Sequence, residues 1–357
     1  MIIAAIENFV IFHTALSVMA FLTVLAIRAG SWRSTSPNPR FLSGAYTAAL
    51  VVPAAGAAWL VAAALLPAAW LGHGDGAEDH HLPADSVHLI QELTRGIEPF
   101  LGFAISAVVL VAFAIAIMST LRSQRRTAWA IERLTVADAK TYDPDKVEIV
   151  ETAARRHGID VTVLRSDRPM SFVSGVGRST VAVSTGTLRT LSAAQLAGLV
   201  EHEVAHHERD DNRFSFSLRL VAALSLAVPL TSRLLHWRSE QVELVCDEIA
   251  ASRTAAPLDI AEALVTLRRA IAPTVTAMPR LAVASFIPDD QGALARRVRR
   301  LIQLADCPPG EAAGSVTPLR RAVAAAILLF GVSLAVLIAW APFAVHTATE
   351  SLLGLLR

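Results

Sequence analysis

His202, Glu203 and His206 lie in the stretch LVEHEVAHHERDD, residues 199–211. On a helix the two histidines, four apart, face the same way and can offer two imidazole nitrogens to one metal ion, with the carboxylate beside them. Zn2+ held by three protein ligands keeps a fourth position for water and lowers that water's pKa. An adjacent carboxylate, here Glu203, can then act as the base in attack on an amide carbonyl. A third ligand is therefore needed. Downstream, SEQVELVCDEIAASR places Glu243 and Asp247 four residues apart on one helical face. One carboxylate can reach the ion while the other hydrogen-bonds a liganding histidine. The bland alternative is that Glu240, Glu243, Asp247 and Glu248 form a solvated helix face.

The elements that must hold these groups belong to an apolar chain. Of 357 residues, 54% are hydrophobic and 18% charged, with a mean hydropathy of +0.49. Soluble domains carry about 25% charged residues, so the composition is that of a membrane protein. A net charge of +1 argues against direct nucleic-acid binding. Two cysteines, Cys246 and Cys307, make neither a disulfide framework nor a CxxC metal pair, which suits a reducing compartment.

A helical span needs about 20 apolar residues, and four stretches qualify: 2–27, 45–71, 100–121 and 322–345. The first has no basic lead and no small-residue cleavage site, so it reads as an uncleaved span rather than a signal peptide. Arg28, Arg33 and Arg40 follow the first span, RSQRR follows the third, and Arg320 and Arg321 precede the fourth, whereas 72–95 is acidic with one arginine. Positive loops stay in the cytoplasm. The N-terminus is thus expected outside, about 122–320 inside, and the protein in the cell membrane as a multi-pass chain.

In the cytoplasmic stretch, 144–159 has helical spacing, 160–166 and 179–185 alternate like strands, and 192–211 reads as one helix. Ser192 and Gln195 fit a capping box at its start. The expected fold is mainly α: a membrane region of three transmembrane helices at 1–121, a cytoplasmic α+β domain at 122–320, and a last span with a short outer tail at 321–357. Residues 214–237 resemble a fifth span but cannot be a single crossing. That would put His206 and Glu243 on opposite sides, and the 36 residues between them are too few for two spans. Arg219, Pro229 and Arg233 also disfavour a crossing. A re-entrant or interfacial helix pair that holds the site against the inner face of the membrane is expected, with a buried core helix as the alternative.

HEVAHHERDD followed by ELVCD resembles the BlaR/MecR-type membrane metallopeptidases, whose pattern runs HExxHxxRxD and then ExxCD. His202, Glu203, His206, Arg209, Asp211, Glu243, Cys246 and Asp247 fit it, and the resemblance extends over about 120–345. It implies a gluzincin metallopeptidase domain in which Zn2+ is held by His202, His206 and Glu243, Asp247 orients a zinc histidine, and a strand near 172–185 pairs with substrate backbone. The implied partner is a protein or peptide substrate, in such families often a BlaI/MecI-like transcriptional repressor. Those sensors carry an extracellular penicillin-binding domain after the last span. Only twelve residues follow Val345, so β-lactam sensing through such a domain is not expected. HtpX-type quality-control proteases and CAAX prenyl proteases share HExxH and a later glutamate with an aspartate four residues on, but they usually place alanine where this chain has Cys246.

Other polar groups have plainer readings. His73, His80, His81 and His88 stand in the acidic stretch 72–95 without metal-ligand spacing, as in a solvated loop. His207 and Glu208 turn away from the zinc face by about 100° per residue and suit surface or packing roles. Glu7 and His13 fit interhelical pairing near the membrane interface, and Cys246 a small buried residue. Two rivals to a peptidase remain: a signal transducer that binds zinc without cleaving, and a transporter with a chance HExxH.

Overall fold

The computed structural model describes residues 2–31, 38–65, 98–136, 142–174, 180–271 and 291–306. The fourth expected span, Cys307 and the histidines of 72–95 lie outside them. Among the described residues, three long helices come first: α1 (Ile2–Ser31), α2 (Pro39–Leu65) and α3 (Glu98–Leu134). Each carries a segment long and apolar enough to cross a membrane, namely Phe9–Ala29, Pro39–Trp59 and Ala107–Leu134. α1 and α2 pack through the fully buried Leu16, Tyr46 and Leu50. On α3, Val108, Leu110, Val111, Ile115 and Met118 point outward, a surface that lipid accommodates and water does not.

α3 runs without a loop into the first sheet contact. Thr135 bridges Leu164, Val136 N donates to Val163 O at 2.9 Å, and Arg165 N donates to Leu134 O at 2.6 Å. α4 (Pro144–Arg155) follows, begun by Pro144 and by the Asp143 carboxylate accepting from Lys146 N, a start that suits a residue lacking its own N–H. The sheet has strands β1 (Asp160–Leu164), β2 (Ser171–Ser174) and β3 (Thr180–Ser184) in the order β1-β3-β2. β1 is parallel to β3, and β2 is antiparallel to it. The strand-like stretch near 172–185 is therefore two strands, and β2 is one of the two edge strands of the described sheet. Asn212 Nδ2 donates to Val173 O on β2 at 3.0 Å.

Helix α5 (Thr185–Thr190) leaves β3 at Ser184, whose hydroxyl accepts from Thr187 N. Gly186 N donates to Ser166 O at 2.7 Å, so backbone lies against this glycine. α6 (Ala193–Glu208) starts with the Ser192–Gln195 capping box. Its Leu196, Leu199, Val200 and Val204 enter the main core beside Val147, Val150, Val181, Val183, Ile260 and Leu264.

α6 ends at Glu208 rather than continuing through 211, because Asp210 takes a left-handed conformation (φ 51°, ψ 32°), which a short polar side chain tolerates. α7 (Asp211–Ala223) and α8 (Val228–Thr254) then fold back on each other, so residues 214–237 form two arms of a helical hairpin. At its turn, Leu226 N donates to Thr14 Oγ1 of α1 at 3.1 Å. Trp237, roughly 16 Å along α8 from that turn at 1.5 Å per residue, stacks on Phe21 of α1 and lies under the Arg28 guanidinium. The hairpin thus lies alongside the apolar segment of α1. α9 (Pro257–Ile271) and α10 (Gln291–Asp306) complete the described chain.

A Cβ on Gly186 would overlap the Asp167 carbonyl, a backbone group that cannot rotate away. Gly186→Ala is expected to destabilise the protein by about 1–3 kcal/mol, read as a lowered thermal unfolding midpoint of the detergent-purified chain.

Candidate metal centre

His202 and His206 face the same side of α6, are almost fully buried, and bring their Nε2 atoms within 3.2 Å of each other. From α8, Glu243 Oε2 lies 3.4 Å from His202 Nε2, and Glu243 Oε1 lies 3.5 Å from His206 Nε2. Ligand atoms about 2.0–2.1 Å from a tetrahedral zinc lie about 3.3–3.4 Å from one another, close to the observed edges. The protonation pattern fits as well. His202 Nδ1 is 2.9 Å from Asp247 Oδ1, and His206 Nδ1 is 3.1 Å from Asp211 Oδ2. A carboxylate at Nδ1 assigns the proton to that atom and leaves each Nε2 with its lone pair. Two lone pairs and a carboxylate converging in a buried space make a donor set for a cation.

Glu203 is 1% exposed, and its Oε1 has no hydrogen-bond partner among the described residues. Burial pushes its carboxyl above the usual carboxylate range, against the opposing pull of His202 and His206. Such an oxygen is a basic group without an internal use for its lone pairs.

Each orienting carboxylate is in turn held by arginine. Asp247 accepts from Arg297 Nε and Nη2, both at 2.6 Å, and Arg297 Nη1 lies 3.1 Å from Glu243 Oε2. Burial opposes the charge of Asp247, but Arg297 outweighs it and holds the carboxyl below its ordinary value. Asp211 accepts from Arg209 Nε at 3.1 Å. Cys246 Sγ lies 3.5 Å from His206 Nδ1. The close group His206, Asp211 and Cys246 thus sits on the Nδ1 side of the imidazole, where Asp211 is already engaged.

The residues singled out by sequence therefore come together, with Asp211 and Asp247 serving one histidine each. The left-handed turn at Asp210 is what bends Asp211 back toward His206. Glu208 is turned outward, its carboxylate 2.8 Å from His157 Nδ1 and 2.5 Å from Arg253 Nη2. The acidic face of α8 is not simply solvated. Arg296 bonds Glu240 at 2.5 Å, Arg297 engages Glu243 and Asp247, and Arg300 bonds Glu248 at 2.7 Å. The basic run LARRVRRL was visible in the sequence, but its pairing with α8 was not.

Residues 146–281 match Peptidase family M48. This segment begins within α4, ends beyond α9, and contains every histidine and carboxylate of the cluster. Among curated proteins, the chain is similar to a "Protease HtpX homolog" of Listeria monocytogenes serotype 4b, strain CLIP80459, at 30% identity over 146 residues, 39% of this chain and 47% of the relative. Proteins of the same name from Chlorobium phaeobacteroides (28% over 116 residues; 31% of this chain, 38% of the relative) and Leptothrix cholodnii (30% over 118 residues; 31% and 40%) are also similar. The chain spans less than half the length of these relatives. Together with the three apolar helices, the M48 match supports a membrane-type metallopeptidase.

Arg297 lies beyond the M48-matching segment yet touches both the third candidate ligand and the orienter of His202. Removing one partner of a buried ion pair strands the other charge. Arg297→Met is expected to cost about 3–5 kcal/mol of stability, measured by denaturant unfolding in detergent.

Proposed function

We propose that this chain is an integral-membrane, zinc-dependent endopeptidase that hydrolyses peptide bonds of proteins at or near the cytoplasmic face of the cell membrane. The observation that carries the reading is the triangle of His202 Nε2, His206 Nε2 and Glu243 with Glu203 buried beside it. Zn2+ held by those three residues supplies Lewis acidity toward a substrate carbonyl and toward water. Glu203 would take the proton from the attacking water and deliver it to the leaving amine. Asp247 and Asp211 keep the two imidazoles in the tautomer that leaves Nε2 as the donor. The edge strand β2 receives substrate backbone by strand addition, beside the point where Asn212 occupies Val173 O.

The arginine distribution supports a cytoplasmic catalytic domain in a multi-pass chain. The names of the relatives favour the HtpX-like reading, a membrane quality-control or processing peptidase. A second reading, cleavage of a BlaI/MecI-like cytoplasmic repressor by a BlaR/MecR-type peptidase, rests on Cys246 standing before Asp247 in ExxCD and on the HxxRxD continuation through Arg209 and Asp211.

Detergent-purified wild type and Glu203→Gln are expected to hold about one zinc per chain, and Glu243→Ala to lose it, by metal analysis. Casein or self-cleavage is expected in wild type alone, with Glu203→Gln slower by at least about 10²-fold. Chelation should abolish cleavage and added zinc restore it. Zinc without cleavage in any sample would favour a binding-only transducer, and no zinc in any sample would overturn the reading.

A further inference from the structure

The polar chain behind His206 extends past Asp211 into the membrane helices. Asp211 Oδ1 faces Arg238 Nη2 of α8 at 3.7 Å. Arg238 is 4% exposed, and its guanidinium is shared between two elements, α7 and α2. Nη1 donates to Ser215 Oγ of α7 at 3.2 Å, Nε donates to Thr47 Oγ1 of α2 at 3.1 Å, and the group lies 4.9 Å from the Phe214 ring centroid. Thr47 belongs to the apolar segment Pro39–Trp59. A continuous set of contacts therefore runs from a candidate metal ligand through Asp211 and Arg238 to a membrane helix.

We propose that Arg238 is a positioning residue for the metal centre and that Thr47 fixes its place, so that the seating of α2 is read at His206. This rests on the metal-site reading above. A guanidinium is planar, with its N–H groups in a rigid fork. With Nε on Thr47 and Nη1 on Ser215, the plane is set and Nη2 is aimed at Asp211. A displacement of α2 that withdraws Thr47 frees that plane to rotate, and Asp211 then keeps Arg209 at Oδ2 but loses its second arginine at Oδ1, which loosens its hold on His206 Nδ1. The two halves of the site then answer to different parts of the fold. His202 is set through Asp247 by Arg297 of α10, and His206 is set through Asp211 by the local Arg209 and by Arg238 with α2.

Thr47→Val keeps the size of the side chain and the charge of Arg238 but removes the acceptor. Thr14→Val is the matched control: it deletes another threonine acceptor, the one bonding the hairpin turn, away from the metal ligands. Zinc affinity of full-length protein in detergent is measured by chelator competition, and the visible spectrum is recorded after Co2+ substitution. Thr47→Val is expected to weaken zinc binding about three- to tenfold, at or below the usual range for changes behind a metal ligand, and to shift the Co2+ bands. Thr14→Val should leave both unchanged. Arg238→Lys, which keeps the charge without the fork, should weaken binding by about tenfold or more.

Wild-type affinity and spectrum in Thr47→Val would overturn the proposal, as would an equal loss in Thr14→Val, which would mark a general effect of loosened packing. Wild type that binds no zinc would instead remove the metal-site reading itself. Because Thr47→Val is isosteric, it decides the matter even where an Arg238 variant does not fold.

Discussion

Two imidazole Nε2 atoms 3.2 Å apart, each presenting a lone pair, repel unless a cation or proton stands between them. That constraint organises the centre of the molecule. Each ring must be turned so that Nδ1 meets a carboxylate, and each carboxylate, once buried, needs a cation of its own, because an unpaired charge in the interior costs several kcal/mol. The chain meets the requirement twice by different routes. Asp247 comes from one helix turn beyond Glu243 and is closed by Arg297, fifty residues later. Asp211 comes from the residue after a left-handed turn and is closed locally by Arg209. The break between α6 and α7 is thus part of the site: a helix continuing through 211 would carry Asp211 away from the imidazole it orients.

Sequence reasoning reached what depends on short spacing. The i, i+4 pairs His202/His206 and Glu243/Asp247 are set by helical periodicity alone, and the Ser192–Gln195 capping box marked where α6 begins. The split of 171–188 into an edge strand, an inner strand and a short helix was harder to read, since apolar residues run through both strands. What was not legible was pairing at long range. Nothing in the type or local pattern of Arg297 or Arg238 separates it from the other arginines of the chain. Their roles exist only because α10 lies across α8 and α2 lies beside it. The sequence assigned roles to Glu243 and Asp247 but could not show what neutralises the acidic face of α8, because its counter-charges arrive on a helix some fifty residues downstream.

The α7–α8 hairpin joins the apolar and polar parts of the fold. Its far end is bonded to Thr14 and its near end is packed under Arg28 and over Phe21, so it is held at two heights along one helix. Beyond Trp237 the same α8 continues, without interruption, into the residues that carry Glu243 and Asp247. Side chains that contact the apolar helices and side chains that face the candidate metal position therefore share one rigid rod.

α3 makes a comparable join on the sheet side. It passes from its apolar segment straight into the Thr135–Leu164 bridge, with backbone hydrogen bonds on both sides of the junction. A flexible tether would let the sheet swing and sample polypeptide at many distances from the bilayer. A helix that becomes a sheet contact without a joint acts as a ruler, fixing the height and tilt of β2 relative to the apolar segment of α3. In a membrane-anchored peptidase, that geometry would limit cleavage to bonds presented within a narrow band above the lipid, and a substrate would be selected by how far its exposed segment reaches as well as by its side chains.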